Sequence, residues 1–200
     1  MKRIGITGPT GAGKTTALNA LSSLGAHIID CDGVYHQLLA HSGAMCSALT
    51  ERFGPAILNE AGEIDRKALG SVVFSDPAAL ADLNSITHRF VLEEIERQAG
   101  QAQAEGRPAV GIDAIALIES GVGATCDAVV GILAPAELRV ARIMAREGIS
   151  EEYARQRVQA QQGEEFFRTH CGYILENRAD DTPQAFQARA LELFKALLHS

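Results

Sequence analysis

The sequence predicts a three-layer α/β domain around a central five-stranded parallel sheet. Five short apolar runs recur along the 200 residues, with helical patterns between them. The runs are continuously apolar rather than alternating, which is typical of parallel strands that are covered on both faces. A glycine-rich turn joins the first run to a helix, as in a nucleotide-binding domain. The predicted strands are residues 3–7, 26–30, 109–113, 128–133 and 172–176.

The segment that follows the first strand, Gly8–Thr16, fits the pattern G-x-x-x-x-G-K-[ST] of a phosphate-binding loop. Its glycines let consecutive backbone N–H groups curl around phosphate oxygens, and the predicted helix 15–24 adds partial positive charge at its start. Lys14 can reach the β- and γ-phosphates of a nucleoside triphosphate, and the Thr15 hydroxyl can ligate Mg²⁺. The residues that we expect to bind the nucleotide here are Gly8, Gly11, Ala12, Gly13, Lys14, Thr15 and Thr16.

Two carboxylates, Asp30 and Asp32, straddle Cys31 at the end of the second strand. Residues two apart in extended backbone point to the same side, so both carboxylates can face the γ-phosphate. One could accept a proton from a substrate hydroxyl, and the other could hold that residue or a magnesium-bound water. The alternative is that Asp32-Gly33 is turn chemistry and that Asp30 caps a helix. The nearby phosphate loop favours the catalytic interpretation.

Two long stretches without strand patterns interrupt the sheet. Residues 33–105 are mostly helical in pattern and predict an insertion between the second and third strands. Residues 136–163 predict two helices that break at residues 147–150, with Ser150 as the N-cap of the second. A last helix is predicted from Pro183 toward Leu198. Residues 98–106 are polar and fit either a helix end or a mobile turn.

Acidic residues accompany the third strand. Asp113 ends it, where an enzyme with a phosphate loop usually places an acid directed at magnesium. Glu119, six residues later, fits a substrate contact or a solvated helix position, and spacing alone leaves both open.

Five of the 14 arginines lie within residues 139–157. Arg139, Arg142 and Arg146 are three and four residues apart and share a helix face, whereas Arg155 and Arg157 fall on the next helix. One interpretation is a solvated surface paired with neighbouring glutamates. The other is a lid whose guanidiniums stabilise a transferring phosphoryl group. We expect one or two of the five to act on phosphate and the others to lie on the surface.

Composition sets broad limits on partners. The net charge of −7 argues against a nucleic-acid partner, because no global basic field would attract phosphate backbones. No apolar run approaches the length of a membrane span. The four cysteines are widely spaced and form no C-x-x-C pair, so neither a zinc site nor a disulfide framework is indicated. We expect a cytoplasmic protein without a membrane partner.

A series of short motifs follows the phosphate loop along the sequence. The first is Ile29-Asp30-Cys31-Asp32. The later motifs are Phe53-Gly54, Ile64-Asp65-Arg66-Lys67-Ala68-Leu69, Phe74, His88, Asp113 to Glu119, Arg142 and Arg146, Arg157-x-x-x-Gln161, and Asn177. With these motifs, the sequence over nearly its whole length resembles the dephospho-CoA kinase family, a P-loop kinase family of the nucleoside-monophosphate-kinase-like group. Each motif is weak alone, but their order and spacing together are specific.

The resemblance implies a three-layer P-loop kinase fold that phosphorylates the ribose 3′-hydroxyl of dephospho-CoA with ATP and Mg²⁺. It implies a core (residues 1–32, 106–135 and 164–200), a helical CoA-substrate-binding insertion (33–105) and an arginine-rich lid (136–163). Asp32 would act on the 3′-hydroxyl as base or orienter, while Lys14 and Arg142 would neutralise the transferring phosphoryl group. The resemblance also implies that Arg146 contacts the nucleotide. It implies that His88, Asp113 and Glu119 contact the substrate. We expect a monomer or weak homo-oligomer.

The sequence also departs from the family pattern. The family usually has a proline where this chain has Arg89, and a proline and an aromatic residue where it has Ile115 and Ile118. The other departures are Phe167 in place of a common lysine, Gly172 in place of a common aspartate and Arg139 in place of a common glutamine. Two rival hypotheses follow: a kinase of another small acceptor such as a nucleoside monophosphate, and a kinase-like ATP-binding regulator without turnover.

Overall fold

A computed structural model describes residues 1–199 as an α/β fold with one parallel sheet. Ser200, the last residue of the predicted core, lies outside the described residues. The strands are β1 (Lys2–Thr7), β2 (His27–Asp30), β3 (Ala109–Asp113), β4 (Ala128–Leu133) and β5 (Tyr173–Glu176). Their order in the sheet is β2-β3-β1-β4-β5, and β1 pairs in parallel with both β3 and β4. The predicted fold class is confirmed, and every strand lies within one residue of its predicted bounds.

Helices connect the strands. They are α1 (Lys14–Ser23), α2 (Cys31–His41), α3 (Gly43–Phe53), α4 (Arg66–Val73), α5 (Pro77–Ala104), α6 (Ala136–Glu147), α7 (Glu151–Gln159), α8 (Glu164–His170) and α9 (Pro183–His199). The predicted break between α6 and α7 is confirmed, and the Ser150 hydroxyl accepts a hydrogen bond of 3.3 Å from the Tyr153 N–H. The polar stretch after residue 98 is a helix end. Helix α8 was not predicted, since seven residues give too little periodicity to identify a helix.

One compact unit contains Met1–Ile29 and the chain from Ala99 onward. On one face of its sheet, Ile4 and Ile6 pack in a core that includes Phe186 and Phe194 of α9. The opposite face of β4 packs against α8, because Leu133 and Phe167 share a second apolar cluster. Helices cover both faces of the sheet, but they leave the carboxyl ends of the strands accessible. Ligands bind beyond these ends in such folds.

A second compact unit contains Asp30–Gln98. Its own apolar core includes Met45 and Leu49 of α3 and Leu69 of α4. The Asp65 carboxylate caps α4 by accepting hydrogen bonds from two N–H groups of its first turn. The division of the chain into a nucleotide-binding core, an insertion and a lid stays a prediction. No helix in residues 1–199 is both long enough and apolar enough to cross a membrane.

Candidate active site

The segment between β1 and α1 has the backbone conformation that only glycine tolerates. Gly8, Gly11 and Gly13 have φ angles of 143°, 82° and 109°. A Cβ atom on Gly8 would lie 2.2 Å from the Ile132 carbonyl oxygen, and one on Gly13 would lie 2.4 Å from the Asn177 amide nitrogen. The glycines of the motif are therefore required both by the left-handed backbone and by close packing.

Helix α1 begins in this loop without a side-chain cap. Its N-cap residue is Gly13, which has no side chain that could accept a hydrogen bond from the N–H groups of the first turn. Those groups and the helix dipole together favour an anion at the start of α1. The Lys14 ammonium donates a 3.0 Å hydrogen bond to the Gly8 carbonyl and so spans the loop. Thr15 is exposed in the same turn, and its hydroxyl is suited to act as a ligand of Mg²⁺. The loop fits a triphosphate with Mg²⁺.

Two arginines of α6 donate hydrogen bonds to the outer side of this loop. Arg139, only 7% exposed, donates from Nε to the Thr10 carbonyl at 3.0 Å. Arg142 donates to the Gly11 carbonyl at 3.0 Å and to the Asn177 side-chain oxygen at 3.2 Å. Burial lowers the pKa of both guanidiniums, and for Arg142 the charge of Asp181 opposes that shift. Within the described residues, every acceptor bonded to these two arginines is a neutral oxygen.

The other three arginines of the cluster form ion pairs on the surface. Arg155 bonds to Glu137 at 2.7 Å and to Glu151 at 2.8 Å. Arg146 and Arg157 both bond to Glu147. The structure therefore divides the cluster into two arginines at the loop and three that are paired with carboxylates. The nucleotide contact expected for Arg146 stays a prediction, and in this structure its guanidinium pairs with Glu147 instead.

The segment after β3 lies beside the start of the phosphate loop. Asp113 is in register with Ile6 of β1, and the Thr7 hydroxyl donates a 3.1 Å hydrogen bond to the Ile115 carbonyl. Glu119 is exposed and lines a cavity of about 360 Å³ together with Pro9, Ile115, Gln161, Gln162 and Phe167. Both acidic residues of this segment are thus in the same unit as the phosphate loop. Two departures from the family pattern, Ile115 and Phe167, line the same cavity.

The expected geometry of Asp30 and Asp32 is wrong. Helix α2 begins at Cys31, so Asp32 belongs to a first helical turn and the alternation of extended backbone stops at Asp30. One Asp30 carboxylate oxygen caps that turn, with bonds of 3.1 Å from the N–H groups of Asp32 and Gly33. The helix forms here because a β-region aspartate before it satisfies N–H groups that would otherwise have no partner. The alternative role of Asp30 as a cap is confirmed, and Asp32 remains an exposed carboxylate.

His88 lies on α5 within the second unit. It is half-buried and lines an open cavity of about 720 Å³ with Arg89, Leu92, Glu93 and other residues of the same helix. All of its lining residues belong to α5, so it is a shallow depression along one helix rather than an enclosed site. The substrate contact expected for His88 stays a prediction.

Comparison with known proteins identifies the family. The model of the dephospho-CoA kinase family matches residues 2–182. A dephospho-CoA kinase from Symbiobacterium thermophilum is 38% identical over 178 residues, which are 89% of this chain and 74% of that protein. The chain belongs to the dephospho-CoA kinase family. Membership confirms the resemblance and the predicted class of enzyme, an ATP-dependent phosphotransferase that acts on a hydroxyl group.

Solved structures support the fold of this dephospho-CoA kinase family member. The protein TT1252 from Thermus thermophilus superimposes with a TM-score of 0.81 at 32% identity, over 98% of this chain and 97% of that one. A dephospho-CoA kinase from Campylobacter jejuni superimposes with a TM-score of 0.61 at 24% identity, over 100% and 98% of the two chains. At that lower identity the likeness concerns the fold alone.

Three residues at the loop had no assigned role in the sequence analysis. Gln161 and Asn177 matched family motifs, and Arg139 was named as one of the clustered arginines and as a departure from the family pattern. Their partners in the loop lie 129 to 165 residues away along the chain. No local pattern reports such distant hydrogen bonds. The motif matches of Gln161 and Asn177 were the only signals that pointed to them.

Proposed function

We propose that the protein transfers the γ-phosphoryl group of ATP to the ribose 3′-hydroxyl of dephospho-CoA, which gives CoA and ADP. The match to the dephospho-CoA kinase family over residues 2–182 is the observation that supports dephospho-CoA as the acceptor. The glycine loop at the uncapped start of α1 supports the choice of donor, since it offers backbone N–H groups and a helix dipole to an anion. Phosphoryl transfer needs positioning and charge neutralisation more than covalent chemistry from the protein.

Lys14 and Arg142 are proposed to neutralise the transferring phosphoryl group. Both side chains donate to loop carbonyls, so each cationic group lies at the loop. A phosphate oxygen is a stronger acceptor than a neutral carbonyl, and we expect the Lys14 ammonium to exchange Gly8 for phosphate. Mg²⁺, held by the Thr15 hydroxyl, would supply further positive charge to the phosphate oxygens.

Asp32 is proposed to accept the proton of the 3′-hydroxyl or to orient that hydroxyl. Its position in a capped first helical turn fixes its backbone, while its side chain stays exposed to a ligand. His88, Asp113 and Glu119 are proposed to contact the acceptor, and Arg146 the nucleotide.

The test of acceptor identity compares dephospho-CoA, AMP and adenosine with ATP and Mg²⁺. We expect CoA and ADP from dephospho-CoA and little product from the other two. Phosphorylation of AMP instead would support the nucleoside monophosphate alternative. Absence of any product beside an active control, despite ATP binding, would support the regulator without turnover.

The test of Asp32 is Asp32→Asn. Removal of a general base typically lowers the rate by about 10²–10⁴-fold, while ATP affinity should change little. Asp82→Asn is the matched control, since Asp82 is a carboxylate of the same unit that pairs with Arg52 at the surface. Near-normal turnover of the Asp32 variant would exclude Asp32 as the base.

A further inference from the structure

All three polar groups of Thr10, in the middle of the phosphate loop, are held by two residues from outside the loop. The Thr10 N–H donates to the Gln161 side-chain oxygen at 3.1 Å, and the Gln161 amide nitrogen donates to the Thr10 hydroxyl at 2.8 Å. Arg139 donates to the Thr10 carbonyl at 3.0 Å. A loop residue that is bonded at its N–H, C=O and hydroxyl has little freedom to change conformation.

Gln161 and Arg139 are also bonded to each other. The Arg139 Nη2 donates to the Gln161 side-chain oxygen at 2.6 Å, so that oxygen receives two donors. Two donors facing one atom fix the orientation of the amide, and with it the N–H that is aimed at the Thr10 hydroxyl. Burial of Arg139 makes these hydrogen bonds stronger than they would be in water.

The pair connects the loop to both ends of one helical hairpin, residues 136–159. Arg139 lies near the start of α6, and Gln161 lies in the short link between α7 and α8. Displacement of either end of the hairpin would break a bond to Thr10. The conformation of the loop and the position of the hairpin are therefore coupled through this one residue.

The Arg139 contact with the Thr10 carbonyl, together with an Asn177 contact with the Ala12 carbonyl, decides where two of the loop N–H groups point. Across a trans peptide the C=O of one residue and the N–H of the next point in opposite directions, and no peptide bond in residues 1–199 is cis. The carbonyls of Thr10 and Ala12 accept from Arg139 and Asn177, on the outer side of the loop. The N–H groups of Gly11 and Gly13 are consequently directed to the inner side, where a phosphate would lie.

We propose that Arg139 and Gln161 are positioning residues that hold the phosphate loop in its nucleotide-binding conformation. Through them, the affinity for ATP depends on the position of hairpin 136–159 relative to the loop. The inference rests on ATP binding within the proposed function and adds two residues to which that function assigns no role. A merely structural contact would contribute to thermal stability but would leave ATP affinity unchanged.

The first test is a matched pair at Thr10, with ATP affinity measured by calorimetry in the absence of acceptor. Thr10→Val keeps the shape but removes the hydroxyl that Gln161 binds, whereas Thr10→Ser keeps the hydroxyl. Loss of one such hydrogen bond should weaken ATP binding by about three- to tenfold in Thr10→Val, and Thr10→Ser should bind like the wild type.

The second test removes the guanidinium. Arg139→Met should weaken ATP binding by about ten- to a hundredfold, because a charged donor is lost, and Arg139→Lys should recover part of that loss. Arg155→Met is the control, since Arg155 belongs to the same hairpin but its partners among residues 1–199 are surface carboxylates. The KM for ATP should rise with the dissociation constant, while the KM for the acceptor should not.

Wild-type ATP affinity in both Thr10→Val and Arg139→Met would overturn the inference, as would an equal loss in Arg155→Met. A lower melting temperature with unchanged ATP affinity would also overturn it, because it would show a structural role only. A wild-type protein that binds ATP but does not phosphorylate dephospho-CoA would refute the proposed acceptor and leave this test intact. No ATP binding by the wild type would refute both.

Discussion

Gly8→Ala is the perturbation whose effect the structure specifies most closely. The new Cβ would meet the Ile132 carbonyl oxygen at 2.2 Å, so the loop or β4 must shift by about 1 Å to restore an ordinary contact. The φ angle of 143° adds backbone strain, because residues other than glycine rarely adopt it. Strain of about 1–3 kcal/mol and overpacking of about 1–3 kcal/mol give a total cost of about 2–6 kcal/mol.

That cost should lower the melting temperature by roughly 5–20 °C in a protein of this size. A shift of about 1 Å in the phosphate loop should also reduce kcat/KM for ATP by about 10²-fold. Gly100→Ala is the control, because Gly100 lies in α5 and the added Cβ would have no neighbouring atom of residues 1–199 within 4 Å. It should raise stability by about 0.5–1 kcal/mol. Equal melting temperatures and equal kcat/KM in Gly8→Ala and the wild type would refute the reasoning.

Two further predictions concern titratable groups. Hydrogen bonds from Arg189 lower the pKa of Asp181 from 3.8 to about 2. The stability that the ionised Asp181 carboxylate contributes is therefore complete above the ordinary pKa, and it is lost as the pH falls through about 2. The melting temperature of Asp181→Asn should therefore fall below that of the wild type at pH 6, and the gap should narrow below about pH 4; a constant gap would contradict this. Burial raises the pKa of the Cys171 thiol to about 11, so a thiol reagent at pH 8 should leave it unmodified in the native protein but react with all four cysteines after denaturation.

The strands and the phosphate loop were predictable because their signals are local. Continuous apolar runs such as residues 109–113 and 128–133 become central strands with the predicted bounds, since a strand buried on both faces needs apolar residues throughout. The glycine spacing of residues 8–13 encodes positive φ angles directly. The Ser150 cap likewise lies within three residues of the N–H that it accepts.

The error at Asp32 shows where local signals mislead. The apolar run before Asp30 predicts a strand correctly, but the residue at which the strand ends depends on a competition between extended backbone and a new helix. Asp30 decides that competition by accepting hydrogen bonds from the N–H groups of Asp32 and Gly33, which places Asp32 on a helix. The alternation of side chains in extended backbone therefore does not continue past a residue that caps a helix.

The arginine cluster shows that the role of an arginine depends on contacts that are distant in sequence. Arg142 and Arg155 have the same chemistry and similar sequence surroundings, but Arg155 bonds to carboxylates that neutralise it, whereas Arg142 bonds to neutral oxygens. Arg139 is bonded in the same way as Arg142, and Lys14 donates to the Gly8 carbonyl. Three cationic side chains thus lie at the loop, with the dipole of α1 added to them. A triphosphate bound at the loop would lie beside these charges, and charge neutralisation of this kind stabilises a transferring phosphoryl group. The net charge of −7 consequently says little about the site, because the local acceptors of each arginine determine whether its charge is available to a ligand.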